Sequence, residues 1–134
     1  MKLFTVEEAN ELLPRIRMKL EMIRRLYEHV GTYREAARAA ASAATRNGGM
    51  VGGSKYVKYL YEIGKLTTEI NDAGVQLKDY GRGLIDFPSM MDGRIVLLCW
   101  QIGEPDRIEW WHETDAGFAG RQRFGHDRDF PDEL

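Results

Sequence analysis

The chain has 134 residues, 43% hydrophobic and 30% charged, enough for one globular domain that buries its core without disulfides or a structural metal. Its formal net charge of −2 is too small to argue for nucleic acid or acidic substrates on bulk electrostatics. A lone cysteine, Cys99, excludes an internal disulfide and suits a reducing cytosol, and no apolar run approaches the roughly 18 residues that span a bilayer, so a cytoplasmic location is expected.

Thr5-Val6-Glu7-Glu8 opens the first helix as a capping box, with an acidic first turn that complements the helix dipole. Pro14 lies inside the helical pattern and is expected to kink it or to mark its true start. From Leu13 the apolar positions Ile16, Leu20, Ile23, Tyr27 and Val30 alternate three and four apart, with Arg34 as a polar intruder before an alanine-rich run. This predicts a helix over about 5–46. The glycine-rich stretch 47–53 reads as a reversal, and Ser54 as the cap of a second helix over about 54–76. Its seam holds Tyr56, Tyr59, Ile63, Leu66 and Ile70. Two successive seams joined by a short loop predict an antiparallel hairpin.

Near Gly74 the pattern changes, and 75–79 reads equally as helix extension or strand. Leu84 to Phe87 predicts a short strand ended by Pro88, and Asp92-Gly93 a tight turn. Arg94 to Ile102 is apolar on both faces, as expected of a central strand covered on two sides. A third strand is predicted over 107–113, with Ile108, Trp110 and His112 on one face and Trp111 on the other. The predicted fold class is therefore α+β: a long antiparallel helical hairpin followed by a small three-stranded antiparallel β-meander over about 84–113. Residues 1–124 form a single domain, and the acidic stretch 125–134 is expected to be a disordered tail.

Several strings occur together and in order: Thr5 to Pro14, Leu77-Lys78-Asp79, Gly83 to Pro88, Asp92-Gly93-Arg94, Leu98-Cys99-Trp100, Gly103-Glu104-Pro105, Trp111-His112 and Gly117 to Arg121. The set resembles the prokaryotic family catalogued as domain of unknown function 2203, over residues 3 to about 123. The resemblance implies a bacterial cytosolic protein and brings no established activity or catalytic residue.

Four constellations can carry chemistry. Asp79, Asp86, Glu104 and His112, with Glu113 and Asp115 nearby, supply carboxylates and one imidazole suited to a divalent metal. The same residues also serve as turn caps and a satisfied histidine, which is the commoner outcome. Gly117 and Gly120 with Arg121 can form an anion-binding nest, or simply a tight turn that docks Phe118. Trp100, Trp110 and Trp111 among arginines suggest base stacking, but the carboxylates around them oppose a phosphate backbone and core packing explains tryptophan better. Leu20, Ile23, Tyr27, Arg34 and Ile63 form the seam, where Arg34 needs a partner, a second subunit or a route to water. Cys99 reads as a small buried hydrophobe in mid-strand.

These residues favour a homo-oligomeric interaction module, most simply a homodimer through the helices. A metal- or anion-binding protein, with an enzyme as one form of it, comes second, and RNA binding through the sheet third. No membrane partner is expected.

Overall fold

A computed structural model describes residues 1–42 and 53–124. The predicted glycine reversal over 47–53 except its last residue, the end of the first helix beyond residue 42 and the predicted tail all lie outside the described residues. The order is α1 (Val6–Ser42), α2 (Gly53–Asp72), then β1 (Gln76–Asp79), β2 (Leu84–Met91), β3 (Arg94–Gln101), β4 (Trp110–Glu113), a 3-10 turn (Phe118–Gly120) and β5 (Gln122–Arg123). The fold is α+β, with an antiparallel sheet of five strands in the order β1-β2-β3-β4-β5. Five strands replace the three predicted.

The capping box closes as read. The Glu8 amide donates to Thr5 Oγ1 at 3.0 Å and the Thr5 amide to Glu8 Oε1 at 2.9 Å. Helix α1 starts at Val6 and runs through the exposed Pro14. The missing Pro14 N–H leaves the Asn10 carbonyl without its intrahelical donor. The Asn10 side chain is used elsewhere: its Oδ1 accepts from the Ile108 amide at 2.7 Å, tying α1 to the chain just before β4.

Lys19 pairs with Glu69 at 2.7 Å, whereas His29 stacks on Tyr59 and Tyr33 packs against that same ring at a tilt. Early α1 thus meets late α2 and the reverse, so the helices run antiparallel where they touch. Leu13, Ile16, Leu20 and Ile23 are buried in one core with Ile70 of α2 and with Ile85, Phe87, Val96, Leu98, Trp100 and Trp111 of the sheet. Ile63 packs at its margin. Tyr27 is 43% exposed and stacks on Tyr80, and Arg34 is exposed to water, so the polar intruder carries no burial cost.

Helix α2 ends in a Schellman motif. The Val75 amide reaches the Ile70 carbonyl at 3.2 Å and the Gly74 amide reaches Asn71 at 2.9 Å. Gly74 has φ +92°, and a Cβ there would lie 2.9 Å from the Lys2 side chain. Buried Val75 and Ile70 supply the apolar contact that accompanies this cap. The cap ends the helix and launches β1, which resolves 75–79 as strand from Gln76.

Strand β2 does not stop at Pro88. The Phe4 amide donates to the Pro88 carbonyl at 2.7 Å, so the polar edge of residue 88 faces away from β3. A missing N–H on that edge costs the ladder nothing, and proline is tolerated there. The predicted third strand is shorter at its start. Arg107 folds back on the Pro105 carbonyl, and the Trp100 indole donates to that same carbonyl at 2.8 Å.

Candidate metal centre

The Asp92-Gly93 turn pins the register of β2 and β3. Asp92 (φ 50°) and Gly93 (φ 77°) both take positive φ, the demand of a two-residue type I′ hairpin. Counting outward from that turn sets Asp86 opposite Cys99, as observed. Across the other edge of β3, Cys99 lies opposite Trp110, and Leu97 opposite His112. Side chains alternate between faces. Val96, Leu98, Trp100 and Trp111 therefore face the helices, while Asp86, Cys99, Trp110 and His112 share the other face.

On that second face Asp86, Cys99 and His112 are 3%, 1% and 2% exposed. One ligating atom from each lies within 4.8 Å of the other two, the one such group of three among the described residues. His112 Nδ1 is 2.8 Å from the Glu113 carbonyl, and Nε2 is 3.1 Å from Asp86 Oδ1. A carbonyl only accepts, so Nδ1 carries a proton. In the neutral ring Nε2 then points a lone pair at a carboxylate oxygen. Those two atoms can sit at this distance only with a cation between or beside them, either a proton or a metal. An imidazole whose far N–H is fixed by a carbonyl is the usual arrangement of a metal-ligating histidine.

The carbonyl that fixes the ring is itself held. Glu113 receives a two-pronged grip from Arg94, Nε to Oε1 at 2.9 Å and Nη2 to Oε2 at 2.6 Å. That grip holds the Glu113 carboxyl below its usual range and raises Arg94. Cys99 behaves differently. Burial first, then the charge of Asp86 and a hydrogen bond to it, push the thiol up to about 12, against the opposing pull of Arg121. Without a metal Cys99 is a thiol at neutral pH and not a nucleophile. A metal would have to displace its proton, which makes binding favour higher pH.

The predicted site residues separate. Asp86 and His112 converge. Asp79 does not join them: its Oδ1 accepts from the Arg82 amide at 2.9 Å and closes the turn after β1. Glu104 is held elsewhere as well, one oxygen accepting from the Gln101 amide at 3.0 Å and the other from Arg121 Nη2 at 2.5 Å. The nest predicted from Gly117 and Gly120 is spent internally. The Gly120 amide donates to the Gly117 carbonyl and the Arg121 amide to Phe118, both at 3.1 Å, in the 3-10 turn. The Arg121 side chain of that predicted nest is paired with Glu104. Trp100 and Trp111 face the core and are closed to base stacking.

Cys99 is the ligand candidate that sequence reasoning set aside. Its signal was present: it is the same number of residues after the Asp92-Gly93 turn as Asp86 is before it. No helix among the described residues is long and apolar enough to cross a membrane. No curated protein and no solved structure matches the chain. The family model described as an uncharacterized conserved protein, DUF2203, matches residues 2–124, and the chain belongs to that family.

Proposed function

We propose that this protein binds one divalent metal ion of the zinc class through Asp86, Cys99 and His112. The observation that carries the reading is the Nδ1–H of His112 on the Glu113 carbonyl, which leaves Nε2 and Asp86 Oδ1 converging at 3.1 Å with Cys99 alongside. A mixed sulfur, nitrogen and oxygen set selects Zn²⁺ or a similar borderline ion over Mg²⁺ or Ca²⁺, which prefer oxygen alone. Three protein ligands leave a tetrahedral ion one open position, the pattern of reactive centres as opposed to sealed structural ones. Arg94 supports the site by holding the residue that orients the imidazole.

The test is metal content after purification without chelators, followed by Zn²⁺ titration of chelated protein. One equivalent of Zn²⁺ is expected, with affinity lowered about 10- to 100-fold or more in Cys99→Ser and His112→Gln. Wild-type protein that retains no metal after equilibration with Zn²⁺ contradicts the reading.

A second reading, self-association through the helices, is favoured by the exposed apolar side chains Met18, Met22, Val57, Leu60 and Tyr61. Leu20 and Ile23 are consumed by the chain's own core and are not available to a partner. Light scattering on an eluting size-exclusion peak decides it: a dimer mass is expected, and a clean monomer at high concentration removes it.

A further inference from the structure

The outer face of α1 has a charge pattern of its own. At about 100° per residue, Glu7, Glu11, Met18, Arg25 and His29 fall within about 20° of one line along the helix. That line runs opposite the buried seam of Ile16, Leu20 and Ile23. All five residues are exposed, Met18 at 68%. Glu7, Glu11 and Arg25 make no ion pair among the described residues. Reading outward from Met18, carboxylates stand seven and eleven residues toward the N-terminus, and an arginine and an imidazole stand seven and eleven residues toward the C-terminus.

That order makes the face complementary to itself. A second copy laid antiparallel, Met18 against Met18, sets each Glu11 against Arg25 and each Glu7 against His29. A parallel copy sets every charge against its own kind. Moving the antiparallel axis one turn either way lays Met18 on Glu11 or on Arg25 and desolvates those charges unpaired. At the centre Met22 comes level with Arg15 of the other copy, whose stem covers apolar surface. Glu8, Glu11 and Arg15 line a groove of about 290 Å³ with Phe4, Leu12 and Lys2, a concavity beside Glu11 that can admit Arg25 of the second copy. Further round the helix, Glu21 lies 3.7 Å from Arg17 of its own chain, Arg17 also pairs with Asp106, and Lys19 pairs with Glu69. At the ends Glu7, Glu8 and Glu28 place three carboxylates near one imidazole, so the contact is tightest at Met18 and loosens outward.

We propose that two copies of the chain pair through this face of α1, antiparallel, about a two-fold axis at Met18. The assignment rests on the self-association reading above and names the helix, the direction and the register. An isologous contact of this kind uses the same patch on both copies and closes at two. One helix face is a small interface, so a weak dimer is expected.

Charge reversal in the full-length chain, read by sedimentation equilibrium, tests the pairing. Glu11→Arg sets arginine against arginine twice in each dimer, and Arg25→Glu sets carboxylate against carboxylate twice. Either should weaken dimerisation about tenfold or more. Mixing the two variants should restore a dimer, because each contact then joins opposite charges, and so should both reversals in one chain. These positions are exposed, so melting followed by circular dichroism should hardly move. A wild-type dimer indifferent to both reversals but lost in Val57→Asp or Tyr61→Asp, at exposed positions of α2, overturns this surface and leaves self-association standing. Reversals that weaken the dimer with no restoration in the mixture or the double variant overturn the antiparallel register. A wild-type monomer at high concentration ends both proposals.

Discussion

At the centres of β2 and β3 both faces of the sheet are buried, and they do opposite things. The face toward the helices is apolar: Val96, Leu98 and Trp100 of β3 are closed against Ile85 and Phe87 of β2 and against the helices. The other face, one residue out of phase along the same strands, holds a carboxylate, a thiol and an imidazole. Burial on the first face stabilises the fold directly. Burial on the second costs desolvation unless every polar group finds a partner, so such a cluster persists only where its members satisfy each other or a ligand. The comparison separates residues that make the fold from residues the fold holds in place.

Substitutions in adjacent positions of β3 test that separation. Leu98→Ala empties a fully buried site on the helix face and is expected to cost about 2–5 kcal/mol, with or without metal, in denaturant unfolding. Cys99→Ala, one residue on, should cost far less in chelated protein. Its larger effect appears with Zn²⁺: wild type gains about 2.7 kcal/mol when free Zn²⁺ is a hundred times the dissociation constant, and the variant gains little. Equal losses in the two variants, indifferent to Zn²⁺, would erase the contrast between the faces.

Alkaline pH sharpens the contrast in chelated protein. The folded state holds the Cys99 thiol up to about 12, above an ordinary value near 9.0. Between those values the unfolded chain has released its proton and the folded chain has not. Wild-type stability should therefore fall as pH rises from about 9 toward 12, at no more than about 1.4 kcal/mol per pH unit relative to Cys99→Ala. Zn²⁺ affinity should move the other way, rising about tenfold per pH unit below that range because the bound ion expels the thiol proton. Parallel stability profiles for the two proteins would contradict the shift.

The smallest expected effect belongs to the support of His112. Arg94 lowers the Glu113 carboxyl, so that pair's contribution is present above about 4.5 and fades as pH falls through the lowered folded value. Glu113→Gln should flatten this acid limb of melting temperature against pH. It should also weaken Zn²⁺ binding modestly, since the carbonyl stays but its anchor is lost.

Much of this arrangement was legible in the sequence, where the signal is local. Thr5 and Glu8 cap α1 because a hydroxyl and a carboxylate three residues apart reach each other's amides. The Asp92-Gly93 pair fixes a hairpin register over the whole of β2 and β3. Strand β5 escaped and β1 stayed open between helix and strand because two and four residues are too few to show alternation, and both are edges completed by pairing alone. Pro88 misled because a proline's tolerance depends on which edge its nitrogen faces, a tertiary fact. The cluster was half legible: Asp86 and His112 were grouped by residue type, while Cys99 was read as a small buried hydrophobe although the hairpin register sets it opposite Asp86. Asp79 and Glu104 were drawn in by composition, and the structure assigns each to local hydrogen bonds.

X-ray absorption at the zinc edge, on protein loaded with one equivalent, tests the central claim most directly. One sulfur scatterer is expected at about 2.3 Å with nitrogen and oxygen neighbours at about 2.0–2.2 Å, the sulfur vanishing in Cys99→Ser. A shell of light atoms alone in the wild-type protein would contradict it.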